Sequence, residues 1–151
     1  MISWQLIPFN KLSTAQLYQL LRLRVDIFVV EQNCRYPELD GKDTLAGVEH
    51  LLGVSYGEII AYARLLPAGT SFENVSIGRI AVKKTARGNG LGHQLLRQAL
   101  QQCEKRWPKQ SIDIGAQQYL LSFYLQHEFK AISEIYLDDG IPHIFTIPLF
   151  M

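Results

Sequence analysis

The chain has 151 residues, with 15 basic and 14 acidic side chains, a formal net charge of +1 and 48% apolar composition. That length fits one domain with one core, spanning residues 1–151, and the core is large enough to fold without metal or disulfide support. Near-neutral charge argues against a polyanion-coating surface and so against a nucleic-acid partner, and Cys34 and Cys103 form neither a CxxC pair nor a zinc-ligand spacing, so no metal is expected.

The first residues, MISWQLIPFNKL, have no basic stretch followed by an apolar run of signal-peptide type, and no apolar run approaches membrane-span length. A cytoplasmic protein with no membrane partner is expected. Ile2 to Leu6 reads as a short strand. Ser13 opens a helix, with Gln16 in capping-box position and Leu17, Leu20, Leu21, Val25 and Phe28 at helical spacing. That helix is expected to break up in the polar stretch VVEQNCRYPELDGKD. Glu49 to Ser55 and Ile59 to Leu66 read as strands joined at Tyr56-Gly57, a hairpin signal. Val75 to Val82 is a third strand after a loop, and a long helix runs from about Leu91 to Arg106, with Pro108 just beyond its end. Ser111 to Gly115 reads as a strand and Tyr119 to His127 as a short helix. Ile132 to Leu137 and His143 to Phe150 read as a hairpin around Asp138-Asp139-Gly140. The order predicts an α+β fold with mostly antiparallel pairing and one parallel crossover through the long helix.

Between the third strand and the long helix lies Arg87-Gly88-Asn89-Gly90-Leu91-Gly92. Glycines there let the backbone turn tightly and approach a ligand, and the helix that follows offers unpaired N–H groups and a positive dipole end. Together they suit phosphate, and Arg87 adds a fixed charge. A Walker loop would need GxxxxGK[ST] and a Rossmann fingerprint GxGxxG in a first βαβ unit; the sequence has neither. A bare turn capping a helix is the alternative.

The stretch IGRIAVKKTARGNGLGHQLL resembles motif A of the GNAT acetyltransferases, with Arg87, Gly90 and Leu91-Gly92 in register. SIDIGAQQYLLSFYLQHEF is similar to motif B of that family, with Phe123-Tyr124 and Phe129 in its aromatic places. Across nearly its full length the chain resembles the ElaA-type branch, through LRLRVDIFVVEQNC, Tyr36 with Asp40, His50-Leu51, AYARLL, GAQ and DDGIPHI. It departs where Glu128 stands in place of the usual motif B glycine.

The resemblance implies a mixed, mostly antiparallel central sheet flanked by helices and splayed between the motif A strand and the next. Acetyl-CoA would lie in the opening as co-substrate. Ile80 and Val82 would offer backbone groups to its pantetheine, with Ala81, Gln117 and Phe123 beside it. Gly88, Asn89, Gly90, Leu91, Gly92 and Arg87 would surround the pyrophosphate. A neutral primary amine, on a small molecule or peptide, would attack the thioester directly, and Tyr124 would protonate the leaving thiolate. His50, Glu49, His143 or a water chain are candidates for the base. Arg24, Phe28, Glu31, Gln32 and Arg64 would build the acceptor site, with Asp40 adding charge. Arg24 falls on the apolar stripe of its helix and so needs a partner, either Glu31 or a substrate carboxylate. The apolar end Ile147 to Met151 offers a pairing surface for a second subunit. Two other readings stand beside this one. LRLRVDIFVVEQ also resembles acyl-homoserine-lactone synthases, which share the scaffold, and a non-catalytic acyl-CoA-binding module would keep the same fold.

Overall fold

The structure, a computed structural model, describes residues 1–33, 37–117, 129–131, 136–138 and 141–148. Helix α1 (Thr14–Arg24) begins at a reciprocal cap. The Gln16 N–H donates to Ser13 Oγ at 3.0 Å, and the Ser13 N–H donates to Gln16 Oε1 at 2.9 Å. The helix does not break up at Val29, as the polar sequence beyond it suggests. Val25–Glu31 continues as a π-helical segment, closed by the Gln32 N–H on the Ile27 carbonyl at 2.8 Å. Burial of Ile27 and Phe28 outweighs the weak helix preference of its β-branched residues.

Among the described residues eight strands form one sheet in the order β1-β2-β3-β4-β5-β8-β6, with β7 also pairing β8. They are β1 (Ser3–Pro8), β2 (Glu49–Ser55), β3 (Glu58–Leu66), β4 (Val75–Val82), β5 (Ile112–Gln117), β6 (Phe129–Ala131), β7 (Tyr136–Asp138) and β8 (Ile141–Pro148). All pairs are antiparallel except β4 with β5, which helix α2 (Leu91–Arg106) connects. Tyr56 and Gly57 turn between β2 and β3 with φ of 50° and 75°, the paired positive values of a tight hairpin. The first and fifth strands extend about two residues beyond their sequence-predicted ends. The predicted strand Ile132 to Leu137 is met by β7 at its end, with residues 132–135 outside the described part. The predicted helix Tyr119 to His127 falls outside it too, as do Cys34, Tyr36 and Glu128.

Strand alternation divides the core into two layers. On one face α2 packs Leu91, Leu95, Leu96, Ala99 and Cys103 against Leu51, Ala63, Leu65, Val75 and Ile77. On the other, α1 and the π-helical segment pack Leu20, Leu23, Ile27 and Phe28 against Leu52, Tyr62 and Ala81. Burial pushes the Cys103 thiol up to about 12, which leaves it an inert core residue.

Two irregularities in β4 prepare the site. Tyr62 faces Ala81 while Arg64 faces Gly78, so Arg79 and Ile80 together oppose Ala63 in a β-bulge. Arg79 takes φ of 51° there, a conformation usually left to glycine that costs a non-glycine residue roughly 1–3 kcal/mol. On its other edge β4 pairs with β5 only at Val75↔Ile112 and Ser76↔Asp113. From Ile77 onward the two strands part, and β5 turns its pairing to β8 from Ile114 to Gln117.

Candidate functional site

Among the described residues, the parting of β4 from β5 leaves one edge of β4 without a strand partner from Ile77 onward. The Lys83 N–H donates to the Ile60 carbonyl on β3 at 2.8 Å. Backbone direction alternates along a strand, so the groups of Ile80 and Val82 face the opening instead. At the mouth of the opening, Gly88 and Gly90 take φ of 97° and 75°, and Gly90 caps α2 from the left-handed region. A Cβ built on either glycine would meet nothing within 4 Å, so the turn faces open space. Leu91 and Gly92 open the first turn of α2, where N–H groups lack intrahelical acceptors and the dipole favours an anion.

Arg87 is already paired beside that space. Its Nη1 and Nη2 donate to the Glu31 carboxylate at 2.6 and 2.7 Å, and its Nε donates to the Val82 carbonyl at 3.1 Å. The hydrogen bond from Arg87 holds the Glu31 carboxyl below its usual range. The pair ties the turn to the end of the π-helical segment and to β4.

On the α1 face a buried ionic cluster joins helix, sheet and the loop at 37–48. Arg24, fully buried, donates from Nε to Glu38 at 2.5 Å and from Nη1 to Asp43 at 2.7 Å. Arg64 binds Asp40 at 2.8 and 2.9 Å and Asp43 at 3.0 Å. Arg79 donates to Glu38 Oε2 at 3.2 Å, to the Pro37 and Glu38 carbonyls at 3.1 and 3.3 Å, and to Asp40 at 3.4 Å. Three cations meet three anions, so the cluster is neutral as a whole. Burial acts to raise the carboxyl groups of Asp40 and Asp43, yet hydrogen bonds from Arg64 and Arg24 respectively hold both below the usual carboxylate range.

His50 is fully buried in the same region. Its Nε2 lies 3.0 Å from the Asp43 carbonyl, which only accepts, so Nε2 carries the proton. Nδ1 then accepts from the Tyr62 hydroxyl at 2.6 Å. Desolvation lowers the His50 pKa and keeps the ring neutral.

Several sequence expectations change in consequence. His50 has both ring nitrogens engaged and no exposure, so it is not a base for an incoming amine. Glu49 is ion-paired with Arg106 at the end of α2. Arg24 and Arg64 are buried cluster members and Phe28 is core, so none of the three lines an acceptor site; packing has consumed them. The partners of Arg24 are Glu38 and Asp43, not Glu31, because the π-helical segment carries Glu31 toward Arg87. Gln32 follows that segment, half-buried. His143 on β8 is in register with Gln117 on β5 and with Tyr136 on β7. Tyr124 and Phe123 lie outside the described residues. Glu38, Asp43, Tyr62 and Arg79 were missed by the sequence reading. The available signal was three arginines inside apolar elements, each needing an anion, and one acid-rich loop, PELDGKD, able to supply them. A separate groove of about 830 Å³ borders Glu31 and Lys83 to Thr85, but its lining includes none of Gly88 to Gly92.

Among the described residues no group of His, Cys, Asp and Glu could hold a metal ion, and no helix is long and apolar enough to cross a membrane. Residues 41–145 match the family described as acetyltransferase (GNAT) domain. The chain is 44% identical over 144 residues to protein ElaA of Escherichia coli, covering 95% of this chain and 94% of that one. The ElaA crystal structure superposes with a TM-score of 0.90 at 42% identity, covering 98% and 99% of the two chains. An acyl-CoA N-acyltransferase from Pseudomonas aeruginosa superposes at 0.91 with 40% identity and the same coverage. The acyl-homoserine-lactone synthase LasI superposes at 0.78 over 97% of this chain and 89% of its own, with 12% identity, a likeness of fold alone.

Two predictions follow from the cluster and its histidine. Arg24→Met leaves Glu38 and Asp43 buried beside an uncharged side chain, and is expected to cost about 3–5 kcal/mol in denaturant unfolding at neutral pH. For His50, the unfolded ring takes a proton as pH falls below its ordinary value of 6.5, while the folded ring resists. Stability is therefore expected to fall from that pH downward, by up to about 1.4 kcal/mol per pH unit. A second loss begins below about pH 4, where the unfolded chain takes up protons on Asp40 and Asp43 that the folded one resists; Asp113, which burial pushes up, is protonated earlier in the folded state and opposes the fall in stability above that pH. Urea unfolding of the parent and of His50→Gln, from neutral to acid pH, checks this; the variant should lack the first step.

Proposed function

Because the chain belongs to the GNAT acetyltransferase family, we propose that it moves an acetyl group from acetyl-CoA to a primary amine, as a cytoplasmic enzyme of one domain. The observation that carries this reading is the opening where β4 leaves β5, with the glycine turn at its mouth. The pantetheine arm pairs with the backbone of Ile80 and Val82, with Ala81 between them and Gln117 on β5 across the opening; Phe123 is assigned to the cofactor by its place in motif B alone. The pyrophosphate rests on the N–H groups of Gly88, Asn89, Gly90, Leu91 and Gly92. Arg87 holds that turn through Glu31 and Val82. No metal enters the reaction.

The neutral amine attacks the thioester carbonyl, forming the C–N bond. Strand N–H groups facing the opening hold the developing oxyanion. The C–S bond then breaks, and the thiolate leaves with a proton from Tyr124, a role that rests on its place in motif B. With His50 and Glu49 committed elsewhere, His143 or a chain of waters takes the proton from the amine. Gln32 and Glu31 stand at the end of the π-helical segment, and we assign that end to the acceptor side. The acceptor is a small molecule or peptide bearing an amine. The apolar end Ile147 to Met151 is proposed as the contact of a homodimer; residues 149–151 of it are not among those described.

Two measurements test the reading. Acetyl-CoA or CoA is expected to raise the melting temperature of the parent protein by binding the folded state. Gly92→Asp places a carboxylate in the first turn of α2, where it complements the helix dipole yet repels a pyrophosphate. It should leave the ligand-free melting temperature unchanged or slightly raised while abolishing the shift; a normal shift would place the phosphates elsewhere. For the chemistry, thiol release from acetyl-CoA is followed across a panel of primary amines. With any active amine, Tyr124→Phe should lower single-turnover rates by roughly 10²-fold with little change in CoA affinity, and equal rates would reduce Tyr124 to a packing role.

A further inference from the structure

The cluster on the α1 face and the bulge in β4 meet in one side chain. Arg79 supplies the bulge's backbone at φ of 51° and, through its guanidinium, four contacts to residues 37–40. The loop it grips is fixed in turn by Arg24 from α1 and Arg64 from β3. The bulge also decides where β4 directs its backbone. Before it, Val75 and Ile77 face the α2 layer; after it, Ile80 and Val82 do, so the phase of the strand shifts by one residue at Arg79–Ile80. Without that shift the residue exposed to the opening at this depth would change, and so would the N–H presented there.

We propose that Arg79 is a positioning residue for acyl transfer: its clamp onto Glu38, Asp40 and the Pro37 carbonyl holds the β4 bulge, so that the Ile80 N–H points at the thioester carbonyl oxygen. This rests on the acetyl-CoA reading above. Arg79 touches no reacting atom; it acts through the backbone of its neighbour. An arginine is suited to this because its planar fork satisfies side-chain and main-chain acceptors together, where a lysine offers one point charge. The same bonds offset the unfavourable backbone conformation of a non-glycine residue.

The test uses acetyl-CoA carrying ¹³C at the thioester carbonyl, bound to the full chain, with the isotope-edited C=O stretch as readout. It needs no identified acceptor. In the parent protein, hydrogen bonding from Ile80 should lower the stretch relative to free acetyl-CoA. Arg79→Gly accepts the positive φ but has no clamp, so a folded, acetyl-CoA-binding variant should return the stretch toward its solution value. Arg79→Lys, which keeps a charge and one contact, should fall between the two and serves as the readable variant if the glycine substitution does not fold. A stretch equally lowered in parent and variants overturns the positioning role. An unshifted stretch in a parent that binds acetyl-CoA overturns it too and leaves the function reading standing. A parent that binds no acetyl-CoA removes both.

Discussion

The rest of the structure depends on the place where β4 leaves β5. Parallel strands have evenly spaced ladder bonds and gain from every added pair, so abandoning the ladder after Ser76 and Asp113 leaves main-chain groups to be satisfied in another way. The cost is contained because both strands are anchored elsewhere. β4 keeps β3 along its other edge and β5 keeps β8. A sheet that is continuous on both sides of a gap makes the gap a rigid slot.

The ionic cluster ties β4 to the α1 face. Each of its arginines begins on a different element, Arg24 on α1, Arg64 on β3 and Arg79 on β4, and the acids come from one loop. A buried ion pair is a weak source of net stability, since desolvation consumes most of the attraction. What it provides here is geometry: loop, helix and bulge share one set of bonds and cannot shift separately. His50 and Tyr62 extend the same set by a neutral hydrogen-bond chain. These residue types suggest chemistry when read in sequence, and in the fold they are engaged with one another.

At the mouth of the slot the glycine turn is held with similar economy. Its glycines supply positive φ at Gly88 and Gly90, and Arg87 ties it to the π-helical end through Glu31. The π-helical segment matters because its wider turn changes the angle at which residues after Ile27 leave α1, which brings Glu31 to the turn rather than to Arg24.

Local signals by themselves determined a good part of this protein. The capping box at Ser13, the Tyr56-Gly57 turn, β4 from Val75 to Val82 and α2 from Leu91 to Arg106 each follow from spacing and turn chemistry acting within a few residues. The glycine turn was legible for the same reason, because positive φ and a helix N-terminus are properties of short segments. Only the tertiary structure decided which charges are spent on the fold. Arg24, Arg64 and His50 carry the same chemical groups whether they meet a substrate or the protein's own polar groups, and partners 7 to 24 residues away in sequence leave no periodic trace. The bulge at Arg79 was equally hidden, since it arises from a mismatch between two strands, and neither strand alone contains it.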